Sequence, residues 1–274
     1  MNKIYAYFNL IRFSNYAGTI LLFFPCYLTY LNGYFSSYQI VIMLFLLSFY
    51  ARSFGCVIND IVDAEIDAKT ERGKLRPIPS GALSKTEAIR FAIFLATVGI
   101  WILSYFDTKI ILTILSISSL ILIYPFLKRV TGFVQIFLGF IFNLGAIVTP
   151  MIIYGNISNN DILIYIACSY LTICYDTIYG FADIKDDITN KVKSFSILVG
   201  KRTKLLTYLQ FLSLGLFIFA KNSEFKFINY IAIVLYYIFM IWQLRFFNRE
   251  DSENAIFHFK SYQFLYIIIM FILV

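Results

Sequence analysis

The residues 59-NDIVDAEIDAKTERGKLRPIPSG-81 crowd acids and bases into a chain that is 60% hydrophobic and only 14% charged. Asp60, Asp63 and Asp67 stand at i, i+3 and i+7, which puts three carboxylates on one face of a helix. Like charges so placed repel, and something positive must sit between them. A second run, 175-YDTIYGFADIKDDITNKVKS-194, sets Asp176, Asp183 and Asp187 at i, i+7 and i+11, with Tyr179 on the same stripe and Asp186 beside it. Asp176 falls within an apolar stretch, where an ionised side chain is expensive and marks function by default.

Facing carboxylates are hard oxygen ligands. With water and phosphate oxygens completing the shell, they suit Mg²⁺ better than a transition metal. His258, the only histidine, lies far along the chain. Lys69, Arg72, Lys74 and Arg76 accompany the first run, and Lys185, Lys191 and Lys193 the second, so cations stand ready to contact a polyanion directly. Carboxylates, a divalent metal and cations together describe a diphosphate site. Solvated loop charge is the ordinary explanation for one such run. It accounts poorly for two runs on one side of a membrane, one of which enters a span.

The elements that must position these residues are membrane helices. Apolar runs too long and continuous for amphipathic helices predict an all-α polytopic membrane protein of about nine spans. They fall near 14–32, 38–58, 87–106, 109–127, 133–154, 161–181, 204–220, 226–246 and 258–274. The spans leave no room for a second domain, so residues 1–274 read as one unit around a central polar chamber that opens near the cytoplasmic face. The net charge of +7 does not point to nucleic acid. Every Lys and Arg except Lys109, Lys221 and Lys226 falls with the N-terminus and the even connections, which places that side in the cytoplasm. No Arg- and Ser-rich leader precedes the first span, which favours the bacterial cytoplasmic (inner) membrane, with the lipid bilayer as the protein's solvent. Cys26, Cys56, Cys168 and Cys174 lack paired spacing and read as packing residues.

The two runs resemble the signature motifs of the UbiA superfamily of intramembrane prenyltransferases, and within it the branch that prenylates 4-hydroxybenzoate for ubiquinone synthesis. Asn59, Asp60, Asp63 and Asp67 fit its NDxxDxxxD motif, followed by 76-RPIPSG-81. Tyr175, Asp176, Tyr179, Asp183 and Asp187 fit YDxxYxxxDxxxD, followed by Lys193 and Ser194. The segment 124-YPFLKRVTGFVQ-135 is similar to the family's third, basic loop, although Val134 stands where proline is usual. In 12-RFSNYAG-18, Arg12 and Gly18 match the family's entry motif, whereas Ser14 and Tyr16 replace its Asp and Pro.

The resemblance implies transfer of a polyprenyl group from polyprenyl diphosphate to the ring carbon of 4-hydroxybenzoate ortho to its hydroxyl. Mg²⁺ would be held by Asp60, Asp63, Asp67, Asp176, Asp183 and Asp187. Asn59 would orient a ligand or the diphosphate, Arg72 and Lys193 would contact the diphosphate directly with Arg76 behind them, and Tyr179 would shield an allylic cation. Lys128 and Arg129 are the expected anchors of the acceptor carboxylate, Arg129 through its planar fork. Arg52 and Asn143 are further intramembrane polar residues that could line the chamber. A sister enzyme with another acceptor, or a transporter, are the competing readings; against transport, both acid runs lie toward one membrane face.

Overall fold

A computed structural model describes residues 2–33, 37–221 and 224–274, and all regular structure among them is helical. The N-terminal segment forms a short helix, α1 (Lys3–Leu10), started by the Asn2 carboxamide oxygen, which accepts the Ile4 N–H at 3.1 Å. There follow α2 (Ala17–Asn32), α3 (Tyr38–Asp67), α4 (Lys85–Leu103) and α5 (Thr108–Val130). Next come α6 (Val134–Phe142), α7 (Gly145–Tyr154), α8 (Asn159–Gly180), α9 (Ile184–Thr189) and α10 (Phe195–Val199). The last three are α11 (Lys204–Ala220), α12 (Phe227–Phe246) and α13 (Ser252–Leu273).

Seven helical segments among the described residues are long and apolar enough to cross a membrane, with α6 and α7 acting as one and α8 and α9 as another. The other two expected spans appear as the shorter apolar helices α2 and α11. At a rise of about 1.5 Å per residue, these fall short of a hydrocarbon core roughly 30 Å thick.

Three departures from the hydropathy pattern have local causes. Helix α1 lies outside the hydropathy pattern, because eight residues are too few to show a period. The span near 133–154 breaks where the Asn143 amide donates to the Gly139 carbonyl at 2.6 Å and to Thr172 Oγ1 at 2.7 Å. Helix α13 begins at Ser252 and not near 258, since Asp251 caps a polar first turn by accepting the Glu253 and Asn254 N–H groups.

Helix α8 is the central post of the bundle: Ile164, Ala167, Cys168, Leu171 and Cys174 are fully buried against α2, α11 and α13. Between α11, α12 and α13, buried polar groups pair with one another: the Gln210 amide donates to Gln243 and to the Tyr262 hydroxyl. Helices α4 and α5 are peripheral. They pack on α3 and turn large apolar side chains such as Phe94, Trp101 and Leu112 outward, as lipid-facing helices do. All four cysteines are free thiols, three of them buried, in keeping with a packing role.

Candidate active site

Helix α3 does not stop at the end of its apolar run but continues to Asp67, carrying the first acid motif as its polar extension. Asp60, Asp63 and Asp67 are all buried. At the Cβ spacing of about 5–6 Å for helical neighbours, and an effective dielectric near 20, two such charges repel by roughly 3 kcal/mol. The helix dipole adds to the cost at the C-terminal end. The structure supplies the compensating charge as guanidinium. Arg76 Nη1 lies 2.5 Å from Asp67 and 3.3 Å from Asp60, and Arg12 Nη2 lies 2.7 Å from Asp60. Burial opposes the charge on Arg76, but Asp60 and Asp67 outweigh it and hold its pKa above the ordinary arginine value.

The second motif occupies the end of α8, a tight turn at Phe181–Asp183 and the first turn of α9. The helix is therefore interrupted within the expected stripe, yet its acids still face the first motif. Arg72 bridges the two: Nη1 donates to Asp183 at 2.9 Å and Nη2 to the Tyr179 hydroxyl at 2.6 Å, with the guanidinium carbon 5.1 Å from the Tyr179 ring centroid. Burial again opposes the charge, and Tyr179 and Asp183 again prevail, raising the Arg72 pKa. Beside them, the Glu71 N–H donates to Asp186 at 2.9 Å, so the segments that follow α3 and α8 are laced together across the site.

One cavity of about 910 Å³ receives all of this, a volume within the range of ligand sites. Asn59, Asp60, Asp63, Asp67, Arg72, Arg76, Asp176, Tyr179, Asp183, Asp187 and Lys193 all line it. The side chains of Lys128 and Arg129 lie outside the described residues. Lys193 donates to the Val130 carbonyl at 3.2 Å, and its loop is fixed where Gln135 accepts the Phe195 N–H at 2.7 Å. From this polar end the cavity continues between α3, α4, α5 and α7 along walls such as Leu44, Leu47, Ile100, Ile117 and Val148. A charged chamber thus opens into a hydrocarbon-like slot.

Several lining residues were weakly signalled or absent from the sequence reading. Arg12 holds Asp60 from a turn where it adopts φ 57°, and no helical spacing relates it to the acids. Arg52 lies over Gly18, where a Cβ would overlap its guanidinium, and its buried Nε has no hydrogen-bond acceptor. Tyr124 stands within electrostatic reach of both Asp63 and Asp176. Phe259 packs 4.8 Å from the Tyr179 ring and 5.7 Å from that of Tyr175, completing an aromatic wall where chamber meets slot.

The donor set fits a hard divalent cation. Asn59 Oδ1 and Asp60 Oδ2 are buried oxygens without a hydrogen-bond donor, and the acids around them offer oxygen only. Among the described residues, no three acid, thiol or imidazole side chains converge on a single ion position. Oxygens of a bound anion and water would complete any coordination shell here.

The fold and cavity define a polytopic membrane protein with an acid-lined, anion-ready chamber at one end of an apolar slot. The sequence profile of the UbiA prenyltransferase family matches residues 19–268, and the chain belongs to that family. It is 31% identical over 257 residues to a 4-hydroxybenzoate octaprenyltransferase of Shewanella denitrificans, covering 91% of this chain and 87% of that protein. It is 37% identical over 204 residues to the mitochondrial 4-hydroxybenzoate polyprenyltransferase of Drosophila melanogaster, covering 73% of this chain but only 52% of the relative, about half its length. Among solved structures, a UbiA homologue from Aeropyrum pernix superposes with a TM-score of 0.71 at 20% identity, covering 92% of this chain and 94% of its own. A homologue from Archaeoglobus fulgidus, bound to GPP and Mg²⁺, superposes at 0.68 and 16% identity, covering 98% and 100%. At these identities the structural likeness speaks for the fold.

Proposed function

We propose that this protein transfers a polyprenyl group from polyprenyl diphosphate to the carbon of 4-hydroxybenzoate ortho to its hydroxyl, in ubiquinone synthesis. The observation that carries the reading is that one cavity brings both acid motifs, Arg72, Arg76 and Lys193 to the end of a long apolar slot. Such a space suits a ligand with a diphosphate head and a hydrocarbon tail. Relatives named as 4-hydroxybenzoate prenyltransferases support the acceptor.

Asp60, Asp63 and Asp67 on one side, and Asp176, Asp183 and Asp187 on the other, would hold Mg²⁺, with Asn59 orienting a ligand. The metal, when bound, supplies charge neutralisation for the departing diphosphate. Arg72 and Lys193 bind the diphosphate oxygens directly, Arg72 through its planar fork, with Arg76 behind them holding Asp60 and Asp67. Tyr179, backed by Phe259 and Tyr175, presents electron-rich faces to the allylic cation and keeps water from it. The carbon–oxygen bond breaks with its electron pair leaving on the diphosphate. The ring carbon then bonds to the prenyl carbon, and the ring loses its proton to regain aromaticity.

The acceptor carboxylate requires a cation within the chamber. Arg52 offers a buried N–H with no acceptor of its own, and this favours it as the anchor. Arg129 and Lys128, expected from the resemblance, are the other cations assigned to the acceptor. The protein belongs in a bacterial cytoplasmic membrane with its N-terminus on the cytoplasmic side, a reading supported by the distribution of Lys and Arg and by bacterial relatives.

The test is transfer of label from 4-hydroxybenzoate into lipid extract by membranes containing the full chain, an allylic diphosphate and either Mg²⁺ or chelator. Metal-dependent label in lipid is expected. Well-inserted protein that labels lipid only with another aromatic acceptor would overturn the acceptor assignment, and no transfer to any acceptor would overturn the reaction.

A further inference from the structure

Helix α1 packs one face on the bundle and leaves the other open. Ala6 and Leu10, one turn apart, are fully buried among Val57 of α3, Leu83 and Ala88 of α4. The Tyr7 ring lies 5.0 Å from that of Phe91, and Lys3 pairs with Glu87 in the first turn of α4 at 2.5 Å. The helix is thereby held at the level where α4 begins its apolar run. Its outer face is apolar too: Ile4, Tyr5 and Phe8 are 65%, 57% and 43% exposed. In a surface helix facing water, that face would be polar.

What covers this face follows from where it leads. Phe13, just past α1, lies 5.1 Å from the Phe8 ring and 6.0 Å from that of Phe49 on α3. From Phe49 the band runs on through Phe45 and Ile42, both exposed, at i−4 and i−7 on the same face of α3. An apolar surface of this extent, unbroken from α1 into a membrane span, is a lipid contact. Tyr5 and Tyr16, both mostly exposed, carry an apolar ring with a polar tip, the type enriched where hydrocarbon meets headgroups. A helix of eight residues is too short to stand by itself in water, and contact on both faces is what holds it.

The far end of α1 meets the acid site. The turn that follows is tied to the helix: the Arg12 N–H donates to the Asn9 carbonyl at 3.1 Å and the Phe13 N–H to the Phe8 carbonyl at 3.0 Å. From that turn the Arg12 side chain reaches Asp60 at 2.7 Å, while Phe13, its neighbour in the chain, packs on the outer band. The depth at which α1 lies therefore sets where the Arg12 guanidinium stands.

We propose that α1 is an interfacial anchor, its Ile4, Tyr5, Phe8 and Phe13 side chains seated in the headgroup boundary of the bilayer, and that this seating makes Arg12 a positioning residue for Asp60. The anchor stands on geometry alone; its effect on catalysis rests on the prenyl-transfer reading above.

To test the anchor, the purified full chain is placed in vesicles of phosphatidylethanolamine and phosphatidylglycerol with a benzophenone amino acid in place of Phe8. Irradiation is expected to give phospholipid adducts several-fold above those from the same probe at Thr189, an exposed residue of α9. Adducts to a second copy of the chain, or lipid adducts no higher than at Thr189, would overturn it. The link to Asp60 is read in kcat/KM for prenyl transfer. Phe8→Gln is expected to cost about tenfold in the wild-type background and less than about twofold in Arg12→Ala, because residues acting through one another are not additive. Phe8→Leu, still apolar, keeps the wild-type rate. No loss in Phe8→Gln, or the same loss in both backgrounds, would mean that α1 serves the fold and not Arg12. If Phe8→Gln fails to insert, Ile4→Gln takes its place in the cycle. Wild-type protein that transfers no prenyl group removes the prenyl-transfer reading itself, and crosslinking still decides where α1 lies.

Discussion

Arg72 donates to Asp183 at 2.9 Å, fastening the basic tail of the first acid motif to the second. Both side chains are partly exposed, at 40% and 31%, so as an ion pair this contributes at most about 1 kcal/mol to stability. Its importance is positional: the same guanidinium also meets the Tyr179 hydroxyl and ring, where the proposed diphosphate would lie. Arg72→Ala is expected to raise KM for the prenyl diphosphate at least tenfold while shifting detergent-solubilised unfolding little. Arg72→Lys keeps the charge but loses the fork, and should fall between the two. Equal kinetics for Lys and Arg would mean that charge alone matters.

Asp60 and Asp183 belong to different motifs yet line the same chamber. If both motifs hold metal, Asp60→Ala and Asp183→Ala should each cost a factor of about 10² to 10³ or more in turnover, the scale for losing preorganised electrostatic stabilisation. Chelator should abolish transfer by wild-type protein, and added Mg²⁺ should restore it. The protein must still insert, which membrane fractionation checks. Near-normal turnover in either variant sinks the two-motif site.

In the proposed reading, Arg52 holds the acceptor and not the donor. Arg52→Ala should therefore raise KM for 4-hydroxybenzoate strongly and KM for the diphosphate weakly. Arg129→Ala is the companion measurement, since the resemblance assigns that residue the same role. An unchanged KM for the acid in Arg52→Ala would return the carboxylate to Arg129.

The first acid motif was legible in the sequence because helical spacing alone decides which residues share a face, and α3 stays regular through Asp67; the turn at Phe181–Asp183 that interrupts the second was not. Apolar runs likewise gave away the bundle, though not where Asn143 breaks one span or where a polar first turn lengthens α13. The partners of the acids were harder to read. That Arg76 folds back on Asp67, or that Tyr50 reaches the Leu95 carbonyl, depends on how one helix lies against another, and no periodicity within either segment records it. Arg52 was visible as an intramembrane charge, but only the approach of Gly18 shows where its guanidinium lies.

Arg12 poses the sharpest question about how the site is held ready. A non-glycine residue in the left-handed region costs roughly 1–2 kcal/mol, and Arg12 adopts φ 57° between α1 and α2. Its side chain compensates by reaching Asp60, which is 1% exposed, and by donating to the Asn9 carbonyl at 3.1 Å. Backbone and guanidinium separate by substitution. Arg12→Gly relaxes the strained turn and removes the ion pair, whereas Arg12→Ala removes the pair and keeps the strain. If the guanidinium poises Asp60 for the metal and diphosphate, both variants should lose activity alike, with the Gly variant the more stable by about 1 kcal/mol in thermal unfolding. A Gly variant with full activity would show that Arg12 serves the turn and that Arg76 alone suffices to hold Asp60.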